Sequence, residues 1–126
     1  MSKILVVDDE KDVVTLIKFL LQKDGHEVIE ASNGEEALQI ISQTVPDLII
    51  LDVMMPIMDG YTFNTKLQEN FSLRTIPVII LTARGQMKDL FQVAPNVSAY
   101  IEKPFDPKHL RDLIQKTLLS SKVKGD

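Results

Sequence analysis

Short, wholly apolar runs alternate along this chain with longer stretches in which apolar residues recur every three or four positions. The first kind reads as β-strand buried on both faces, the second as amphipathic helix. Lys3 to Asp8 is a strand built on Ile4-Leu5-Val6-Val7. Asp12 to Asp24 is a helix with Val13, Ile17, Leu20 and Leu21 on one stripe, and Gly25 stands where glycine is favoured after a helix. His26 to Ala31 is a shorter strand. Asn33-Gly34 makes a turn, Glu35 to Thr44 a helix with Ala37, Leu38 and Ile41 inward, and Pro46 stops it. Asp47 to Asp52 is the most hydrophobic strand and belongs at the centre of a sheet. Met55-Pro56 opens a loop, and Asp59-Gly60 precedes a helix from about Tyr61 to Asn70. Pro77 to Thr82 is a fourth strand, Gly85 to Val93 a short helix closed by Pro95-Asn96, and Ser98 to Lys103 a fifth strand. Asp106 caps a last helix with Pro107 in its first turn and Leu110, Leu113, Ile114 and Leu118 inward. Ser120 to Asp126 is polar and is expected to fray.

Strand and helix thus alternate five times, with no internal repeat or low-complexity tract. That order implies an α/β fold: a doubly wound five-stranded parallel sheet, helices on both faces, joined by right-handed crossovers. A chain of 126 residues suits one domain, assigned to 1–120 with a polar tail at 121–126. Apolar residues at 44% and charged residues at 25% fit a soluble globular protein. A net charge of −4 offers no basic footprint for direct nucleic-acid binding, and the lack of cysteine removes disulfides and thiolate zinc sites. The apolar runs are too short for membrane insertion, and a strand starting at residue 3 leaves no room for a signal peptide, so a cytoplasmic location is expected.

The runs end in polar residues with chemistry of their own. The first ends in Asp8-Asp9-Glu10, the central one in Asp52, the fourth in Thr82 and the fifth in Lys103-Pro104. In an open parallel sheet the ligand crevice lies beyond the carboxyl ends of the strands. Neighbouring strands would therefore gather carboxylates, a hydroxyl and an ammonium there, a set suited to a hard cation and a transferring phosphoryl group. Each residue also has a plain explanation. Acids before a helix serve as caps and meet its dipole. Asp52 and Lys103 would be solvated strand ends, Thr82 an ordinary strand residue and Tyr100 half-buried filler. Three consecutive acids repel, however, and a cation would offset that repulsion. A carboxylate after the most hydrophobic strand also suits a nucleophile toward phosphorus. His26 and His109 have no metal-ligand spacing, and Phe105 reads as a core plug.

Four segments together resemble the receiver domain of two-component response regulators, over Lys3 to about Leu119. They are Ile4 to Glu10, Asp47 to Gly60 with its Asp52-Val53-Met54-Met55-Pro56, Leu81-Thr82-Ala83, and Tyr100-Ile101-Glu102-Lys103-Pro104-Phe105. The resemblance implies a flavodoxin-like (βα)5 domain of strand order 2-1-3-4-5, in which the first and third strands are neighbours. It implies that Asp52 is the phosphoacceptor, taking its phosphoryl group from a sensor histidine kinase or phosphotransfer protein. Mg²⁺ would be held by Asp9, Asp52 and the backbone carbonyl of Met54, with Asp8 acting through water. Lys103 would pair with Asp52 or the phosphoryl group. Thr82 would move to hydrogen-bond it, and Tyr100 would turn inward behind. The output would be a downstream protein partner on the face formed by the fourth helix, fifth strand and last helix. Such a protein is not an enzyme in the usual sense, although self-catalysed phosphotransfer and slow autodephosphorylation are expected.

The chain departs from the family pattern at Ala94-Pro95-Asn96-Val97-Ser98-Ala99, where an Ala-Gly-Ala-Asp-like segment is usual. A short or irregular fourth helix is expected, with Met87, Leu90, Phe91 and Val93 forming an apolar cluster near the output face. The acidic residues that support symmetric dimers in some DNA-binding regulators are missing at Ser98 and Ala99. Met54 and Arg84, two residues past Asp52 and Thr82, would tune the acylphosphate lifetime. With no output domain after Leu119, a stand-alone module is expected, although the tail Ser120 to Asp126 also suits a linker stub of an excised receiver. Two other readings stay open. A pseudo-receiver would bind partners without switching. A flavodoxin-like nucleotide binder or phosphohydrolase would need glycines after the first strand, or a second catalytic acid and a substrate cap.

Overall fold

A computed structural model describes residues 2–83 and 95–125, with side chains through residue 120. Five strands form one parallel sheet in the order β2-β1-β3-β4-β5, the order the family resemblance implied. They are β1 (Lys3–Val7), β2 (Glu27–Ala31), β3 (Leu48–Asp52), β4 (Val78–Ala83) and β5 (Val97–Lys103). The helices are α1 (Lys11–Lys23), α2 (Gly34–Ile41), α3 (Gly60–Glu69) and α4 (Pro107–Gly125). The helix expected over residues 85–93, with its apolar cluster, and Arg84 lie outside the described residues.

Alternation along each strand divides the core in two. Leu5, Val7, Ile49, Leu51, Val78 and Ile80 meet Ala37 and Ile41 of α2 and Phe63 and Leu67 of α3. Ile4, Val6, Leu48, Ile50, Ile79, Leu81 and Ile101 meet Val14, Ile17 and Leu21 of α1 and Leu110, Ile114 and Leu118 of α4. Every residue of β3 is buried, which explains why that run carries no polar alternation. On α1 the stripe is centred on Val14 rather than Val13, which is only partly buried, because 14, 17 and 21 align better at 3.6 residues per turn. On the outer edge, β2 exposes Glu27 and Glu30, the latter paired with Lys18 at 2.8 Å.

Local chemistry sets the boundaries. Gly25 has φ +88°, its N–H donates to Gln22 O, and the His26 N–H donates to Leu21 O, both at 3.0 Å. That is the paired closure of a Schellman motif. α2 starts one residue earlier than expected because Asn33 accepts the Glu36 N–H at 2.9 Å, making Gly34 the first helical position. β5 starts at Val97, and its pairing with β4 jumps from Val97 to Ala99, leaving Ser98 in a bulge. At α4, Asp106 accepts the Lys108 N–H at 3.1 Å. α4 runs on to Gly125, beyond the Ser120 where its apolar stripe stops, since no glycine or proline interrupts that segment before Gly125. Arg111 of α4 grips Asp24, the last residue of α1's cap, through two hydrogen bonds at 2.8 and 2.5 Å. This pair holds the Asp24 carboxyl below its ordinary range.

Candidate functional site

The chain leaves β1 for β2 on one side and proceeds from β3 to β4 and β5 on the other, so β1 and β3 flank the point where the winding reverses. Ligands of open α/β sheets bind in the crevice above such a point. Val7 lies opposite Leu51, so Asp8 and Asp52, each one residue further on, meet there. Carboxylate oxygens of Asp8, Asp9 and Asp52 all lie within 4.8 Å of one another. Asp8 and Asp52 are buried and Asp9 is exposed. Two buried acids and one at the rim form a hard, oxygen-only donor set, which fits a cation such as Mg²⁺.

The carboxyl end of β3 is fixed by its loop. A Cβ on Gly60 would come within 2.2 Å of the Asp52 carbonyl oxygen, so only glycine lets α3 begin this close to β3. The Gly60 N–H donates to Val53 O at 2.9 Å, and the Gly34 N–H at the start of α2 donates to Met58 O at 3.0 Å. Between them the Met58 N–H donates to Pro56 O at 2.7 Å across Ile57, whose φ is +69°. This three-residue turn strains a β-branched residue that buries little of itself, since Ile57 is 77% exposed. Met54 exposes its thioether on the same loop.

β5 delivers the cation across the site. Lys103 Nζ lies 2.7 Å from Glu10 Oε1, 2.8 Å from Asp8 Oδ2 and 3.4 Å from Asp52 Oδ1. The contact to Glu10 has the alignment of a hydrogen bond; that to Asp8 is a close ion pair of poorer alignment. Burial opposes the charge on Lys103, but the surrounding acids outweigh it and hold the ammonium above its ordinary range. At Asp52, burial first and the Asp8 charge second raise the carboxyl from 3.8 to about 6, with Lys103 opposing. The Lys103-Pro104 peptide bond is cis, and Phe105 packs against the α1/α4 core.

Thr82 stands one residue past the Leu81 that pairs with Asp52. Its hydroxyl is buried and finds no hydrogen-bond partner among the described residues. Tyr100 pairs with Ile80 in the ladder and packs, half-buried, against the α2/α3 core. It also lines a concavity of about 230 Å³ with Glu102, Phe105 and His109.

All the residues singled out from the strand ends therefore converge, apart from Tyr100, which sits behind Thr82 in the sheet. Sequence reasoning passed over Glu10. It holds the N-cap position of α1, yet its side chain makes no capping bond and turns to Lys103 instead. The signal available was a third acid where one cap would do.

A doubly wound α/β domain with an acidic pocket and an opposed lysine at its switch point is a domain of the flavodoxin-like class. The family model for the response regulator receiver domain matches residues 4–115, and the chain belongs to that family. The alkaline phosphatase synthesis transcriptional regulatory protein PhoP of Bacillus subtilis (strain 168) is 38% identical over 97% of this chain and 50% of its own length. The chain spans about half the length of the curated relatives it matches. The signal receiver domain of a histidine kinase from Syntrophus aciditrophicus superposes with TM-score 0.84 at 37% identity, covering 95% of this chain and 91% of its own. A CheY-like receiver domain from Methanospirillum hungatei JF-1 reaches TM-score 0.89 at 26% identity, covering 98% of both. Among the described residues no helix is long and apolar enough to cross a membrane.

Proposed function

We propose that the chain is a working phosphoacceptor in which Asp52 receives a phosphoryl group and Thr82 and Tyr100 read its arrival. The observation that carries this reading is Thr82: a buried hydroxyl with no acceptor among the described residues, one ladder position beyond the residue beside Asp52. A buried polar group left unmatched costs stability, which is tolerable where a ligand completes it. An Asp52 carboxylate oxygen attacks phosphorus, the bond from phosphorus to the donor breaks, and its electron pair stays with the donor, an imidazole of a histidine kinase or phosphotransfer protein. Asp9, Asp52 and the Met54 carbonyl would hold Mg²⁺, with Asp8 acting through water, and the ion would supply positive charge where the phosphoryl oxygens gather it. Lys103 supplies a second, fixed positive charge and steadies the product.

Thr82 then donates to a phosphoryl oxygen, and the space it leaves admits Tyr100 from the half-buried position. Inward and outward Tyr100 are two states of one surface, and a downstream protein that prefers one of them at β5 and α4 makes the switch an output. The chain's catalytic part ends with its own phosphorylation and slow loss of the phosphoryl group, so it is a signalling protein rather than an enzyme with a separate substrate. Transcriptional regulation, which PhoP's name gives for that relative, would fall to a different domain where it involves DNA.

Intact mass after acetyl phosphate and Mg²⁺ tests the reading. One added phosphoryl group in the wild type and none in Asp52→Asn is the expected result. An unmodified wild type would favour the non-switching pseudo-receiver, and modification surviving in Asp52→Asn would move the phosphoacceptor elsewhere.

A further inference from the structure

The ammonium of Lys103 makes its one well-aligned hydrogen bond among the described residues away from the residues just assigned to phosphorylation. Its partner is Glu10 Oε1 at 2.7 Å, while Asp52 Oδ1 lies at 3.4 Å. Glu10 sits at the rim, with its side chain 59% exposed. An exposed glutamate has no need to be held in one rotamer, and the start of α1 offers amide donors that it declines. Inside the pocket, Asp8 Oδ2 lies 2.8 Å from the ammonium yet receives no well-aligned hydrogen bond among the described residues.

We propose that Glu10 is a positioning residue that tethers Lys103 at the rim in the resting protein and must release it before the ammonium can serve a phosphoryl group on Asp52. The proposal rests on Asp52 being the phosphoacceptor. An ammonium hydrogen-bonded to Glu10, with its charge shared by Asp8 and Asp52, is held away from an incoming anion on Asp52. Glu10 is the member of that set most easily parted from it, because water replaces the bond at the rim. The tether therefore sets a threshold: it favours the resting arrangement by an amount that phosphorylation has to overcome. Residues that differ at this position would set different thresholds without touching phosphorus or metal.

Two substitutions separate a tether from a simple charge. Glu10→Gln removes the charge at constant length. Glu10→Asp keeps the charge but is one methylene shorter, so it loses reach to Lys103 and falls to the amides of α1. Both should accept a phosphoryl group from acetyl phosphate, and bind beryllofluoride, about two- to fivefold more readily than wild type, the range for an exposed ion pair. In metal-free protein, the ¹⁵Nζ resonance of Lys103 should move in both variants alike. Fast Glu10→Gln with wild-type behaviour in Glu10→Asp would reduce the effect to anion repulsion and overturn the tether. An unmoved Lys103 resonance in both variants would overturn it as well. If Asp52 in the wild type takes no phosphoryl group, the functional reading fails, while the metal-free resonance still decides whether Glu10 holds Lys103.

Discussion

At Asp52, burial and the Asp8 charge both favour the protonated carboxyl, so ionisation works against the fold. The sign of the pH dependence follows. Below pH 3.8 the group is protonated in folded and unfolded chains alike and its contribution is fully present; as pH rises through about 6, the folded chain must ionise a group already ionised when unfolded, and stability is lost. A rise of about two pH units corresponds to at most about 3 kcal/mol, and relaxation around Lys103 brings the expected loss nearer 1–2 kcal/mol. Asp52→Asn should therefore exceed the wild type by about 1–2 kcal/mol at about pH 7.5 and match it near pH 4, in urea unfolding with EDTA. A gap of equal size at both pH values would contradict this. Ile57 also holds a backbone conformation that works against the fold. Its φ of +69° is costly for a β-branched side chain and its exposure gives little in return. Ile57→Asn should raise stability by about 1 kcal/mol, and a lower melting temperature would show that the loop needs its isoleucine.

At the scale of elements, strands and helices were largely legible, because both periodicities are strong and β3 is buried throughout. The site was legible for the same reason: polar residues ending four apolar runs are brought to one end of a parallel sheet. What stayed hidden were pairings between elements, which no local pattern records. Arg111 reaches Asp24 across 87 positions. Asn64 of α3 and Asn96, just before β5, exchange two amide hydrogen bonds at 2.7 and 3.4 Å, with both residues buried. Glu10 was hidden differently: a cap and an ion-pair partner look alike in sequence. The Asn pair anchors α3 to the strand that carries Tyr100 and Lys103. Asn64→Ala strands the Asn96 amide and should cost about 2 kcal/mol, whereas Asn64→Ala with Asn96→Ala should cost much less than twice that. Strict additivity in thermal unfolding would mean that the two amides act independently.

For the whole molecule, the proposed Mg²⁺ site would link metal binding to folding. Only the folded sheet brings Asp8, Asp9 and Asp52 within reach of one ion. Mg²⁺ at ten times its dissociation constant should therefore add about 1.4 kcal/mol to stability. Asp9→Ala should abolish most of that gain, as followed by melting temperature in Mg²⁺ and in EDTA. An undiminished gain would place the ion elsewhere.

The outer strand has a consequence for how this domain meets other proteins. β2 presents Glu27 and Glu30 along the side of the sheet that no further strand covers among the described residues, with Lys18 drawn over one of them. Carboxylates in that position discourage a foreign peptide from stitching itself onto the backbone. Recognition by strand addition is thereby disfavoured on this flank, as is growth of the sheet from one copy into the next at high protein concentration.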